Sequence, residues 1–306
     1  MRILPRPIKR IGCFGEVMIE LAHSPSGQIK LGVAGDTYNS AVYLHRLLKH
    51  TQTTVSYVTA LGTDPYSARI KEAMRQHGLS TDYVERRTDK FPGLYAIDTD
   101  ADGERSFTYW RSDAAARTLF SPPCTVPLSA LAAFDLIYLS GITMAILPPT
   151  IRAAVIAFLK GFRADGGVIA YDSNYRPRLW ESQKVAQEVN TRMWHLADVA
   201  LPSLDDEMAL FGDSDEAAVL KRMKDFGVSA GALKRGADGP LDLSGRVACA
   251  PLPQVTNVVD STAAGDSFNA GYLAAIVRGE ETHSAMAAGH TLAAQVIAHQ
   301  GAILPE

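Results

Sequence analysis

The 306-residue chain carries three cysteines, Cys13, Cys124 and Cys249, with no CxxC pair and no Cys/His ligand spacing. That shortage excludes a disulfide framework and a structural zinc site, and it leads us to expect core thiols in a reducing, cytoplasmic compartment. Neither sign of charge dominates: 30 Lys and Arg face 33 Asp and Glu, for a net charge of −3. There is no basic field to draw in nucleic acid or an anionic membrane, so a small-molecule partner is expected. The most apolar stretch, LSALAAFDLIYLSGITMAIL, is broken by Asp135, Ser140 and Gly141 and is too polar to span a membrane. The basic start, MRILPRPIKR, is interrupted by prolines and followed by no apolar core, and we read no secretory signal in it. Internal repeats, low-complexity tracts and linkers are missing. GCFGEV comes nearest to a nucleotide fingerprint, yet GxGxxG and GxxxxGK[ST] are absent, and no nucleophile elbow or Ser/His/Asp arrangement stands out. Dehydrogenase, P-loop and α/β-hydrolase readings therefore lose their support.

What is present is an alternation of two periods. RIGCFGEVMIEL begins as a β-type run, and residues 37–49 then place Ala41, Leu44 and Leu48 on one helical face. TVSYVTAL precedes a helix that groups Ile70, Ala73 and Met74 and stops at Gly78; FDLIYLSG precedes a helix over 151–163. GGVIAYDSN leads to a helix over 185–195, DVALPS to one around Glu207, and VSAGALKRG opens another strand. Such βα alternation predicts an α/β fold with a mostly parallel central sheet covered on both faces. From Gly93, GLYAIDTDADGERSFTYWR reads instead as two alternating strands turning at Asp102-Gly103. With the turn-rich segment 23–33 it is expected to form a small β-sheet lid over the strand ends, where open α/β sheets bind ligands.

DSTAAGDSF, residues 260–268, holds the most informative carboxylate. Val258 and Val259 are expected to close a strand, and Phe268, Tyr272 and Ile276 recur at helical spacing, so a helix should begin near Gly265 and stop at Gly279. Ala263, Ala264 and Gly265 then lie at its N-terminus, where unpaired N–H groups attract an anion and small side chains let a phosphate approach. Asp266 in the first turn admits two readings from spacing alone. One is a capping carboxylate; the other is a base that takes a hydroxyl proton while the amides hold a phosphoryl group.

DSTAAGDSFNAGYLAA is similar to the C-terminal signature of the ribokinase-like (PfkB) carbohydrate kinases, usually Asp-Thr-Thr-Gly-Ala-Gly-Asp-Ser-Phe. Ala263 replaces the first glycine, whereas Gly265 and Asp266 match. AGDTYN resembles the family's N-terminal signature, with Ala34 for its first glycine and Gly35 and Asn39 in place; ALGTDPYS matches a Gly-x-Asp stretch at Gly62 and Asp64. The likeness spans nearly the whole chain. It implies a three-layer α/β/α fold, a single catalytic domain over 1–306 and lid strands inserted at about 16–34 and 91–112. Within the family, GLYAIDTDADGERSFTYWRSDAAAR and DSNYRPRLW resemble the branch that phosphorylates the acidic keto sugar 2-keto-3-deoxygluconate. A planar guanidinium grips a carboxylate in two-pronged fashion, which suits Arg111 and Arg176; a surface ion pair is the plainer alternative for both.

The resemblance also distributes roles. Asp266 would be the base, with Ala263, Ala264 and Gly265 forming the anion turn. Gly35, Asp36, Asn39, Tyr95, Tyr109, Arg111 and Arg176 would line the sugar, although the tyrosines also fit ordinary strand packing. Asn174, Arg176, Lys234, Gly236, Gly239 and Gly265 would follow ATP, the expected cofactor, and His290 would sit beside its adenine. By spacing alone His283, His290 and His299 are exposed or helix-packing. For Mg²⁺, LPSLDDE puts Ser203 and Asp206 where relatives carry Asn and Glu, followed by Glu207; Asp206 and Glu207 are the candidate contacts, through water. Capping is the alternative for Asp205 and Asp206. Some relatives also bind a monovalent cation. The expected partners are a small-molecule sugar acid and ATP, with no nucleic acid and no membrane; the alternating lid suggests a homo-oligomer. A kinase of a neutral sugar such as fructose or ribose, and a catalytically silent sugar sensor, are the rival readings.

Overall fold

The computed structural model describes residues 4, 6–23, 28–99, 105–247, 252 and 258–305. In chain order its regular elements are β1 (Arg10–Phe14), β2 (Met18–His23), β3 (Ile29–Ala34), α1 (Asp36–Leu48), β4 (Thr54–Leu61), α2 (Pro65–Gln76), β5 (Val84–Arg86), β6 (Leu94–Thr99) and β7 (Arg105–Trp110). There follow β8 (Leu136–Ser140), α3 (Gly141–Ile146), α4 (Pro149–Ala164), β9 (Val168–Asp172), α5 (Gln183–Leu196), β10 (Val199–Ala200), α6 (Leu204–Phe211) and α7 (Glu216–Asp225). The last are β11 (Ala232–Leu233), β12 (Leu241–Asp242), α8 (Ala264–Val277) and α9 (Thr282–Ile297).

A six-stranded sheet in the order β10-β9-β8-β1-β4-β5, parallel throughout, forms the middle of three layers. Its strands are apolar on both faces because helices cover both. The two-residue period sorts the side chains: Leu136 and Tyr138 of β8 face the layer of α1, α2, α8 and α9, while Ile137 and Leu139 face that of α4, α5, α6 and α7. The helices answer with stripes at helical spacing, Ala41, Leu44 and Leu48 on α1 and Val155, Leu159 and Phe162 on α4. Local chemistry sets the helix starts: the Asp64 carboxylate accepts from the amides of Tyr66 and Ser67 at 2.9 and 3.0 Å, with Pro65 behind it, to open α2.

The second sheet, β3-β2-β6-β7, is the lid. It is mixed: β2 runs antiparallel to β3 and parallel to β6, and β6 and β7 form the expected hairpin. The turn at Asp102-Gly103 and Cys249 lie outside the described residues.

Two expectations are corrected, and one element is new. Val258 and Val259 are exposed and lie in no strand; the amides of Val259 and Asp260 donate instead to the Ile297 carbonyl at the end of α9. Of the described cysteines only Cys13 is a core thiol, Cys124 being half-buried in a loop. The short helix α3 was not foreseen; the apolar run through β8 masks the point at which Ser140 caps it by accepting from the Thr143 amide at 3.2 Å. Among the described residues no helix is long and apolar enough to cross a membrane.

Candidate active site

Parallel strands deliver their loops to one edge of the sheet, and here the C-terminal ends of β8 and β9, the N-termini of α1 and α8 and the inner face of the lid enclose a cleft of about 450 Å³. A larger cleft of about 700 Å³ lies behind the lid, between β3, α2 and residues 300–305, and contains none of the α8 turn.

Helix α8 starts as its sequence requires. Ala263 adopts a left-handed conformation, φ 62° and ψ 15°, at the turn into the helix. A side chain there costs roughly 1–2 kcal/mol, the consequence of an alanine at the usual glycine position. Asp260, almost fully buried, pins the turn from below, accepting from the amides of Thr262 at 2.8 Å and Gly301 at 2.7 Å. The turn thus sets the N-terminus of a 14-residue helix at the cleft, whose wall includes Ala263, Ala264, Gly265 and Asp266; the Ala264 amide donates to the Ser261 carbonyl at 3.2 Å.

Asp266 is no simple cap. Its side chain accepts from Asn39 Nδ2 at 2.8 Å, and its backbone carbonyl from Ser40 Oγ at 2.9 Å, so α1 holds it from the side. Burial, then the neighbouring Asp36 carboxylate, push its pKa up to about 8; the Asn39 bond opposes the rise. Asp36 is itself raised, chiefly by burial, although it accepts from the Ser140 hydroxyl and from Asn174 Nδ2 at 3.2 Å. Gly35 lets α1 begin this close to the lid: a Cβ there would lie 2.2 Å from the Glu16 carbonyl oxygen. Its amide donates to Asn39 Oδ1 at 3.3 Å.

The lid supplies the opposite wall. Tyr95 and Tyr109 are cross-strand partners with rings 5.7 Å apart, stacked over the cleft with Phe107 beside them. Tyr95 is buried and donates its hydroxyl to Glu20, so it offers mainly a ring face; Tyr109 is half exposed. Arg111 is no surface ion pair. Its guanidinium packs against the Tyr109 ring at 5.7 Å and is paired with Glu16, which is 1% exposed. Both line the cleft.

On the far side, Asn174 takes an uncommon positive φ of 33° with its amide on Asp172 Oδ1 at 3.1 Å. Arg176, half exposed, meets Asp206 at 3.2 Å, and Asp206 also accepts from the Tyr175 amide at 3.2 Å. Burial raises the Asp206 pKa and Arg176 partly offsets it. Asp206 therefore faces the cleft as foreseen and is not acting as an α6 cap. Glu207 is the correction: it is fully buried behind the site, paired with Arg222 at 3.1 Å, and burial pushes its pKa up to about 7. Helical geometry turns it some 100° away from Asp206, so it cannot share a metal contact. Among the described residues no group of three or more His, Cys, Asp or Glu could hold a metal ion.

Lys234 reaches the cleft floor, whereas Gly236, Gly239 and His290 do not join its wall. Gly236 and Gly239 shape a tight turn with positive φ just outside it, and His290 is half-buried along α9. Sequence reasoning passed over Glu16, Asp172 and Asn269. A lone acid inside an apolar run, as in FGEVM and VIAYD, was the available signal, since a buried charge needs a partner or a function.

A family model described as pfkB family carbohydrate kinase matches residues 9–306. The chain is 44% identical to a 2-dehydro-3-deoxygluconokinase of Dickeya dadantii over 97% of both chains. It is 43% identical to the 2-dehydro-3-deoxygluconokinase of Escherichia coli K12, again over 97% of each. A solved double-mutant fructokinase of Vibrio cholerae, bound to fructose, ADP and potassium, superposes with a TM-score of 0.83 at 21% identity, covering 97% of this chain and 94% of that one.

The raised pKa of Asp266 makes a stability prediction. Its folded-state value, about 8, lies above its ordinary 3.8, so the folded state is favoured by protonation; that contribution is whole below about pH 4 and lost as pH rises through 8. Asp266→Asn should therefore melt higher than wild type at pH 9, with the gap closing toward pH 5. An equal gap at both pH values in thermal melts would contradict the assignment.

Proposed function

The chain belongs to the pfkB family of carbohydrate kinases, and from that footing we propose that it transfers the γ-phosphoryl group of ATP to the terminal hydroxyl of 2-keto-3-deoxygluconate, giving 2-keto-3-deoxy-6-phosphogluconate. The observation that carries the chemistry is Asp266, a buried carboxylate at the electropositive mouth of α8, held by Asn39 within a closed-sided cleft. The sugar oxygen attacks the γ-phosphorus, the bond to the β–γ bridging oxygen breaks with its electron pair left on ADP, and the hydroxyl proton passes to Asp266. A base whose pKa lies near the working pH is well matched to that task. The anion turn of Ala263, Ala264 and Gly265 faces the charge that spreads over the phosphoryl oxygens, with the Ala264 amide shared with the Ser261 carbonyl at 3.2 Å.

Substrate choice is assigned to the lid. Arg111, fixed on one side by Glu16 and stacked on Tyr109, is the group we assign to the sugar-acid carboxylate, with Tyr95, Tyr109, Gly35, Asp36 and Asn39 around the carbon chain. Asn174, Arg176 and Lys234 rim the nucleotide side. Magnesium, when bound, would neutralise charge on the phosphates; of the Asp-Asp-Glu run, Asp206 lines the cleft and is the acid that would hold it, through water. The potassium of the Vibrio cholerae fructokinase supports the use of a monovalent cation. The lid edge exposes Phe91 and Trp110, 67% and 58% accessible, which supports a homo-oligomer closed through the lid.

Three measurements check these assignments. In an ADP-release assay over a panel of sugar acids, 2-keto-3-deoxygluconate should be turned over, and Asp266→Asn should bind both substrates while losing about 10²–10⁴ in kcat; near wild-type turnover removes Asp266 from the reaction. Arg111→Ala should depress kcat/KM for the sugar acid far more than for fructose, an equal loss making Arg111 a bystander. Sedimentation velocity should find a dimer or larger species, and a monomer would sink the lid-interface reading.

A further inference from the structure

Lys234 and Asp172 occupy the floor of the cleft in an arrangement that a nucleotide-loop lysine does not need. Asp172, the last residue of β9 and 2% exposed, accepts from Lys234 Nζ at 2.6 Å and from Asn269 Nδ2 at 2.6 Å, both on Oδ2, and from the Asn174 amide on Oδ1. Asn269, one turn beyond Asp266 on α8, returns its Oδ1 to Lys234 Nζ at 3.1 Å, while its Nδ2 also donates to the Tyr138 hydroxyl at 3.0 Å. An ammonium has three protons. Two are spent on Asp172 and Asn269, and the third has no partner among the described residues. The side chain is 9% exposed, yet it lines the cleft, and Nζ lies 3.6 Å from where a Cβ on Gly265 would sit. A buried, oriented cation therefore stands beside the open amides of the α8 turn, on the same side of the cleft as Asp266.

We propose that Lys234 directs its third N–H as a hydrogen-bond donor to the γ-phosphoryl group as it transfers, and that Asp172 is the positioning residue that aims it. The inference rests on the kinase reading above and deepens it. As the sugar oxygen bonds to the γ-phosphorus and the bridging oxygen leaves with ADP, negative charge builds on the three equatorial oxygens, and a pre-oriented ammonium stabilises it without reorganising. Lys234 keeps all three of its protons through the step; the hydroxyl proton goes to Asp266. Asn269 ties this cation to the helix that carries the base, so base and cation keep one geometry.

Calorimetry on the full-length chain with ADP and with the non-transferable analogue AMP-PNP, both with Mg²⁺, tests the assignment without any sugar. Lys234→Met should weaken AMP-PNP at least about tenfold while ADP changes less than about twofold, and Asp172→Asn should do the same to a smaller degree. In turnover assays with whichever sugar the wild type phosphorylates, Asp172→Asn should add little to the kcat loss of Lys234→Met, because it acts through that lysine. Since Lys234→Met strands the Asp172 charge, the double variant D172N/K234M, which has neither charge, serves where the single one does not fold. Equal weakening of both nucleotides, kcat losses that multiply, or a wild type that binds neither nucleotide would overturn the proposal. A wild type that binds AMP-PNP in the expected pattern but phosphorylates no sugar acid would refute the substrate reading and leave this one standing.

Discussion

The site depends on one electrostatic constraint, the gathering of Asp36, Asp172 and Asp266 in a cleft that strips each of water. Burial and mutual repulsion raise the pKa values of Asp36 and Asp266, and the folded chain tolerates the three acids only because each has a dedicated partner: Ser140 and Asn174 for Asp36, Lys234 and Asn269 for Asp172, Asn39 for Asp266. Those partners come from α1, β8, the loop after β9, the strand-end loop after β11 and α8. The constraint thereby welds both helix N-termini to the sheet edge. A close approach of β8 and β9 completes it, since a Cβ on Gly141 would lie 1.9 Å from the Ser173 carbonyl oxygen.

A different balance operates in the lid. Its strands carry Tyr95, Phe107 and Tyr109 inward on alternate positions, and Glu16 and Arg111 form a buried pair beneath them. Taken singly, a buried ion pair contributes little net stability. Its worth here is orientation: the guanidinium is held by Glu16 on one edge and by an aromatic face, which leaves its direction fixed before any ligand arrives. The lid thus offers a guanidinium on one side of the cleft and the α8 turn a base on the other, suited to a substrate acidic at one end and nucleophilic at the other.

Much of this was legible in the sequence because the signals were local. The β4 run TVSYVTAL, the stripe on α1 and the start of α8 follow from side-chain period and small residues, and each lies within a residue or so of its expected place. Asp266, Asn39, Asp36 and Arg111, which the family resemblance singled out, line one cleft. What escaped was tertiary. Nothing in the period of LDDE says that Asp206 faces the cleft while Glu207 faces Arg222, because both suit the first turn of a helix. Likewise Asp172 reads as a strand end until Lys234, 62 residues away, is seen against it. The parallel pairing of β2 with β6 could not be read from alternation, which is the same in either direction.

The account turns on Asp266 being a carboxyl whose proton affinity the fold has raised into the working range. The most direct measurement is a carbon-13 NMR titration of the side-chain carboxyls of the ligand-free protein, with the Asp266 resonance assigned by its loss in Asp266→Asn. A midpoint near 8 is the predicted result. A midpoint in the ordinary aspartate range, around 4, would contradict the account, because it would describe a solvated or simply capping carboxylate.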